Sequence, residues 1–241
     1  MLPAQLLPWL SSDAAVNDLP PLRIISLFED LPDSELARIA ELCTIRSYEK
    51  HAQIVGEQEQ TTDIFFILSG TVRFTSYAPT GREVIFNEIS SGGIFGEFSA
   101  IDGLPRSATC IAMSDCLLAR MSGKRFYEVL VSNGAIAARL VELLVVKMRK
   151  MSERVFEVSA LAVRERVRRE QLRLAEGGTA FRKGVVIQHA PTHYEIAARI
   201  GSHREAVTRE FNRLEAEHVV EVRRRQIRII DIGLLKGMEE V

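Results

Sequence analysis

Cysteine is scarce and scattered in this 241-residue chain: Cys43, Cys110 and Cys116 are the only three. An odd count at wide spacing excludes a disulfide framework, and no Cys and His grouping has the spacing of a zinc or iron–sulfur site. Free buried thiols and no metal are therefore expected, as in a cytoplasmic protein. No apolar run approaches the ~18–20 residues of a membrane span, so no membrane association is expected. Residues 1–20 carry no basic stretch ahead of an apolar core, so no secretory leader is expected and residues 1–21 read as a tail. A nucleophile paired with a base and a Walker-type phosphate loop are also missing, so catalysis is not expected.

Charge is present and unevenly placed. The net charge is −1, yet residues 1–160 hold 15 Lys and Arg against 20 Asp and Glu, while residues 161–230 hold 15 against 9. A basic C-terminal third beside an acidic remainder points to a polyanionic partner for that third.

Pro21 to Cys43 reads as short helices, with Asp33 as a cap ahead of the periodic run Glu35–Ala40. From Arg46 to Arg120 the pattern changes to short alternating segments, among them 64–68, 71–74, 84–87 and 108–112, broken at Ser69-Gly70 and Pro79-Thr80-Gly81. Many strands at short spacing predict a β-barrel or sandwich, a β-roll over 22–132. A long helix is predicted over 133–159. Its residues Ala137, Val141, Leu144, Met148, Met151, Val155 and Val158 are spaced alternately by four and three. That heptad seam predicts a parallel two-helix dimer interface, with Leu140 and Leu143 turned to the β-roll. A hinge near Ser159-Ala160 opens a last domain over 160–241. That domain begins with a charged helix closed by Gly177-Gly178, followed by a short strand at 185–187.

The stretch Gly93 to Thr109 carries the chemistry. Glu97 and Arg106 stand nine residues apart around a Gly-bounded turn and a short helical segment. A carboxylate accepts from a sugar hydroxyl, and a guanidinium forks onto a phosphate. Gly96 permits close backbone approach, and N–H groups near Phe98 to Ala100 add donors for the same anion. The uninterrupted Phe95-Gly96-Glu97 and Arg106-Ser107-Ala108 resemble the phosphate-binding cassette of cyclic-nucleotide-binding domains.

Further on, Ile196, Ala197 and Ile200 form one apolar face, Gly201 breaks the helix, and Ser202 is placed to cap a second helix buried through Val207, Phe211 and Leu214. This spells a helix-turn-helix. Val219 to Ile230 adds two short strands around Arg223-Arg224-Arg225, a basic wing. On the second helix Arg204, Glu205 and Arg209 span an arc of about 140° away from the buried face. Two guanidiniums suit guanine O6 and N7, and a carboxylate suits cytosine N4.

From about Leu22 to Ile230 the chain resembles the cyclic-AMP receptor protein family of bacterial transcription regulators. The resemblance implies an α+β fold in three parts: a cyclic-nucleotide-binding β-roll, a long dimerisation helix and a C-terminal winged helix-turn-helix. It implies a homodimer that reads a palindromic TGTGA-like site in double-stranded DNA through Arg204, Glu205 and Arg209. Phosphate contacts are implied at Thr192, His193, Ser202, His203 and Arg225. The base pocket is implied at Phe74, Phe86 and Asn87, with Phe98 and Ser107 in the cassette and Met151-Ser152 where the family has Thr-Ser. Cyclic AMP is the implied effector. Loss of the Thr hydroxyl, with Ser107 able to reach a guanine amino group, makes cyclic GMP a second candidate. RNA polymerase is implied as a further partner. Arg224 stands where the family pattern has a turn Gly, a departure that puts the wing turn in question.

Overall fold

The computed structural model describes residues 22–181 and 184–237, so the expected tail over 1–21 lies outside the described residues. Two compact units separate among them, 22–77 with 86–147 and 78–85 with 148–237.

The first unit opens with two 3-10 turns, Leu22–Ile24 and Ser26–Phe28, and helix α1 (Asp33–Glu41). Pro32 holds the N-cap position there, so Asp33 is the first helical residue rather than the cap, its carboxylate in the positive first turn. Then follow β1 (Thr44–Tyr48), β2 (Gln53–Val55), β3 (Ile64–Ser69), β4 (Thr71–Tyr77), β5 (Glu83–Ser90), β6 (Ile94–Phe95), α2 (Glu97–Asp102), β7 (Thr109–Ala112) and β8 (Cys116–Met121). They form two four-stranded sheets ordered β1-β8-β3-β6 and β2-β7-β4-β5.

β3 is buried at every position, and side-chain alternation divides it between two cores. Ile64, Phe66 and Leu68 join the helix-side core, while Phe65 and Ile67 join a second core with Val72, Phe95 and Cys110. β8 divides the same way, Leu117, Ala119 and Met121 against Cys116 and Leu118. The helix-side core is closed by α3 (Gly123–Ser132), which the sequence reading did not separate, and by the start of α4 (Gly134–Ala160). Phe126 and Val129 of α3 and Ile136 and Leu140 of α4 are buried in it, with Leu143 packed alongside. Asn133 starts α4 by accepting from the N–H groups of Ala135 and Ile136 at 3.1 and 3.2 Å.

In the second unit α4 ends at Ala160 and α5 (Val163–Glu176) begins after a short break, close to the expected hinge. β9 (Thr179–Phe181), β10 (Gly184–Gln188), α6 (His193–Ile200), α7 (Arg204–Ala216), β11 (Val220–Arg223), β12 (Gln226–Ile229) and α8 (Ile232–Gly237) complete it, with the strands ordered β11-β12-β10-β9. Val167, Ile196, Ile200, Val207, Phe211 and Leu214 pack on Ile187, Ile227 and Ile229. A buried ion cluster ties α4 to α5. Glu157 takes both ends of Arg173 at 2.7 and 3.0 Å, and Glu170 takes Arg154 at 2.9 Å and Arg173 at 3.1 Å.

Burial raises the Glu157 carboxyl, and the Arg173 hydrogen bonds with the Arg154 and Arg169 charges outweigh it, so the group sits below its ordinary value. Glu157→Ala, which removes one of the two carboxylates that Arg154 and Arg173 share and leaves them Glu170, is expected to lower unfolding free energy by ~1–3 kcal/mol at neutral pH in urea melts. A depressed carboxyl contributes fully above the unfolded value of about 4.3 and loses that contribution as pH falls through its folded value. The gap between wild type and variant therefore closes in acid.

Candidate ligand pocket and nucleic-acid interface

Gly96 adopts φ 87° between β6 and α2. A Cβ there would lie 2.6 Å from the Asp63 carbonyl oxygen and 2.7 Å from an Arg106 guanidinium nitrogen, so only glycine fits. Arg106 is fixed through its backbone: its N–H donates to Glu59 O at 3.0 Å and its carbonyl accepts from Gln58 N–H at 2.9 Å. Its side chain is 3% exposed. Nε donates to Thr61 Oγ1 at 2.9 Å, the guanidinium lies 5.7 Å from the Phe65 ring centre, and Nη2 has no partner among the described residues. Burial lowers the guanidinium's pKa, opposed chiefly by the Asp63 charge. Such a group accommodates an added anion.

Glu97 is buried as well, 4% exposed, and makes no ion pair with Arg106. Its Oε1 accepts from Lys147 Nζ of α4 at 2.7 Å. A carboxylate oxygen beyond that bond still suits a hydroxyl. The Ala100 N–H is not an open donor either, because it donates to Gly96 O at 3.1 Å. The N–H groups of Phe98 and Ser99 precede the helix's first internal bond. The Phe98 ring and Ser107 are exposed.

Phe74 packs edge-on to Phe95 at 5.3 Å, half-buried in the second core. Phe86 and Asn87 are both exposed on β5. Neighbouring strand residues face opposite sides, so these two do not line one surface together. Met151 and Ser152 lie exposed on α4, where the Ser152 hydroxyl donates to Met148 O at 3.0 Å. Along the seam Val141, Met148, Met151, Val155 and Val158 are all more than half exposed, whereas Ala137 and Leu144 are half-buried and Leu144 packs on the core. Burial holds the Cys43 and Cys110 thiols up at about 12, which makes them inert.

In the second unit Gly201 carries the left-handed turn at φ 63°. α7 starts at Arg204 with His203 at the N-cap, making no side-chain cap bond. Ser202 is thus not the cap: it is buried at 7% exposure, its N–H donating to Ala197 O at 2.9 Å, and it is off the exposed face. Thr192 caps α6 instead, accepting from Glu195 N–H at 3.2 Å and donating to its carboxylate at 3.0 Å. His193 stacks on Phe211 at 4.6 Å. Arg204, Glu205 and Arg209 are exposed and form no ion pair with any described residue. The wing turn places Arg225, not Arg224, at positive φ (55°), and both are exposed.

A family model described as cyclic nucleotide-binding domain matches residues 45–133, and one described as Crp-like helix-turn-helix domain matches residues 165–238. The chain belongs to the Crp/FNR family. Crp/FNR proteins are DNA-binding transcription regulators with a cyclic nucleotide-binding domain and are not enzymes. This chain is 28% identical over 179 residues to the cAMP-activated global transcriptional regulator CRP of Pasteurella multocida, across 74% of this chain and 86% of that protein. The fold is shared with a CooA mutant from Carboxydothermus hydrogenoformans at TM-score 0.76 and 18% identity, over 92% of this chain and 98% of that one. It is shared also with the c-di-GMP-responsive global regulator CLP of Xanthomonas campestris at TM-score 0.72 and 18% identity, over 82% and 99%.

Two side chains that meet Arg106 and Glu97 escaped the sequence reading of this Crp/FNR chain. Thr61 meets Arg106 from 45 residues away and gives no local signal. Lys147 flanks the heptad seam and reads in sequence as a solvated charge. An incompletely partnered buried guanidinium contributes little to folding. Arg106→Met is expected to leave ligand-free unfolding free energy within ~1 kcal/mol of wild type, or above it, by urea melt.

Proposed function

We propose that this protein is a cyclic-nucleotide-responsive regulator, a homodimer that cyclic AMP switches to a DNA-binding form reading a palindromic TGTGA-like site. The observation that carries this reading is the buried Nη2 of Arg106, which has no partner among the described residues, beside a glycine turn that leaves no room for a side chain. A cyclic phosphate supplies the missing acceptor, and Glu97 takes the ribose 2′-OH while Lys147 holds its other oxygen. Phe74 and the exposed strand residue Phe86 or Asn87 take the base, with Met151 and Ser152 added from α4. Met151 offers a purine face but no hydrogen bond to an amino group. Cyclic GMP is therefore the second candidate effector, with Ser107 as its contact.

The proposed domains are the β-roll at 22–132, the dimerisation helix at 133–159 and the winged helix-turn-helix at 160–241. Arg204 and Arg209 read guanine and Glu205 reads cytosine, while Thr192, His193, His203 and Arg225 meet phosphates. The protein acts in the cytoplasm, with RNA polymerase as a further partner. Effector binding favours the arrangement that sets two recognition helices one DNA turn apart, ~34 Å, and must stabilise that arrangement more than the other.

Calorimetric titration with cyclic AMP and cyclic GMP, followed by gel shift on a TGTGA palindrome, tests this. Selective cyclic AMP binding and a nucleotide-dependent shift are expected. Binding of neither nucleotide, with DNA affinity unchanged by both, would make the protein a ligand-independent member of its family. Arg106→Ala is expected to abolish the nucleotide response in a folded dimer. Arg209→Ala is expected to cost ~1–3 kcal/mol at one position of each half-site and to relax base preference there; uniform weakening across sequences would reassign Arg209 to phosphate.

A further inference from the structure

His193 opens α6, where a helix-turn-helix meets the DNA backbone, and its hydrogen bonding decides which of its nitrogens carries a proton. Nδ1 lies 2.9 Å from Thr208 Oγ1, and that hydroxyl lies 2.9 Å from Arg204 O. A hydroxyl has one hydrogen. The two bonds form together only with the Thr208 hydrogen on the Arg204 carbonyl, which accepts only. Thr208 therefore accepts from His193, and the neutral imidazole carries its proton on Nδ1. Stacking on Phe211 at 4.6 Å and 16° holds the ring in this orientation. Nε2 is left as a bare lone pair, which repels a phosphate oxygen. Only the imidazolium presents an N–H there.

We infer that His193 is a proton-gated contact to the DNA backbone, taking up a proton as it meets phosphate, so that DNA binding and protonation are linked. The inference rests on the DNA-binding reading above and adds the chemistry of one contact. The surroundings favour the neutral ring in the free protein. Partial burial lowers the His193 pKa and the Arg204 charge lowers it further, with Glu215 acting in the opposite sense. Glu195, on the same helix, turns its carboxylate to the Thr192 N–H and hydroxyl at 2.9 and 3.0 Å. A phosphate brought to Nε2 supplies the compensating charge and raises the pKa. By linkage, affinity must rise as pH falls between the bound-state and free-state values, and level off outside them.

The test is affinity for a duplex carrying a TGTGA palindrome, with saturating cyclic AMP and constant ionic strength, from pH 5.5 to 8.5 (about the range in which histidine titrates). Wild type is expected to lose up to about tenfold in affinity per pH unit per subunit within its window. His193→Arg, cationic throughout, is expected to flatten the profile. His203→Asn is expected to weaken binding and keep the slope. Calorimetry in buffers of different ionisation enthalpy should show proton uptake in wild type that is missing from His193→Arg. Nitrogen NMR of the DNA-free wild type should show the Nδ1–H tautomer, moving to Nε2–H in Thr208→Val. A wild-type slope retained in His193→Arg, or a neutral Nε2–H tautomer in wild type, overturns the inference. A duplex that does not bind at any pH sinks the DNA-binding reading, and this inference falls with it.

Discussion

A buried guanidinium that makes no ion pair with any described carboxylate is the constraint on which the β-roll site depends. Arg106 is desolvated, held at Nε by Thr61 and at its backbone by Gln58 and Glu59, yet one of its terminal nitrogens has no partner among the described residues. Desolvating a charge costs several kcal/mol unless it is compensated. Its tolerance here requires that the surrounding structure over-determine the position. Gly96 is part of that: its left-handed turn aims α2 and leaves room for the guanidinium, and a methyl group there would strike both Arg106 and the Asp63 carbonyl. The β-roll supports a donor set for an anion that the folded chain does not itself supply.

The second unit shows the opposite treatment of buried charge. Glu157 and Glu170 are as desolvated as Arg106, but each is met by several arginines at hydrogen-bonding distance. Those carboxylates leave nothing over for a ligand and fix α5 against the end of α4. On α7 the charges of Arg204, Glu205 and Arg209 are again uncompensated, this time in water, where exposure makes it cheap.

That distinction explains what sequence could and could not show. The cassette was legible because its turn glycine, carboxylate and guanidinium lie within one short segment. The helix-turn-helix was legible because Gly201 and the spacing of Val207, Phe211 and Leu214 are local signals. Pairing across long separations was not: Lys147 reaches Glu97 from 50 residues on. Ser202 was misplaced by one residue because a serine after a turn glycine reads as a cap, while the chain buries it and begins α7 beyond His203. Phe86 and Asn87 came together through the family resemblance, and as neighbours on β5 they face opposite sides. Helix α3 was hidden between the last strand-like run and the long helix, since Phe126 and Val129 alone give too little periodicity.

Helix α4 carries two apolar faces with different consequences. Ile136 and Leu140 are buried in the chain's own core, whereas Met148, Met151, Val155 and Val158 repeat at heptad spacing and stay more than half exposed. Exposed apolar surface forgoes ~25 cal/mol per Å² that burial would supply, and a heptad repeat is matched by a second helix of the same period. Under the proposed dimer, Met151 sits in that seam and Ser152 stands next to it. A nucleotide touching these two residues would therefore meet the dimer interface at the same helical turn. An effector placed there need not transmit a signal over distance, because stabilising one packing of the seam over another is already a change in the element that continues to the α4–α5 break.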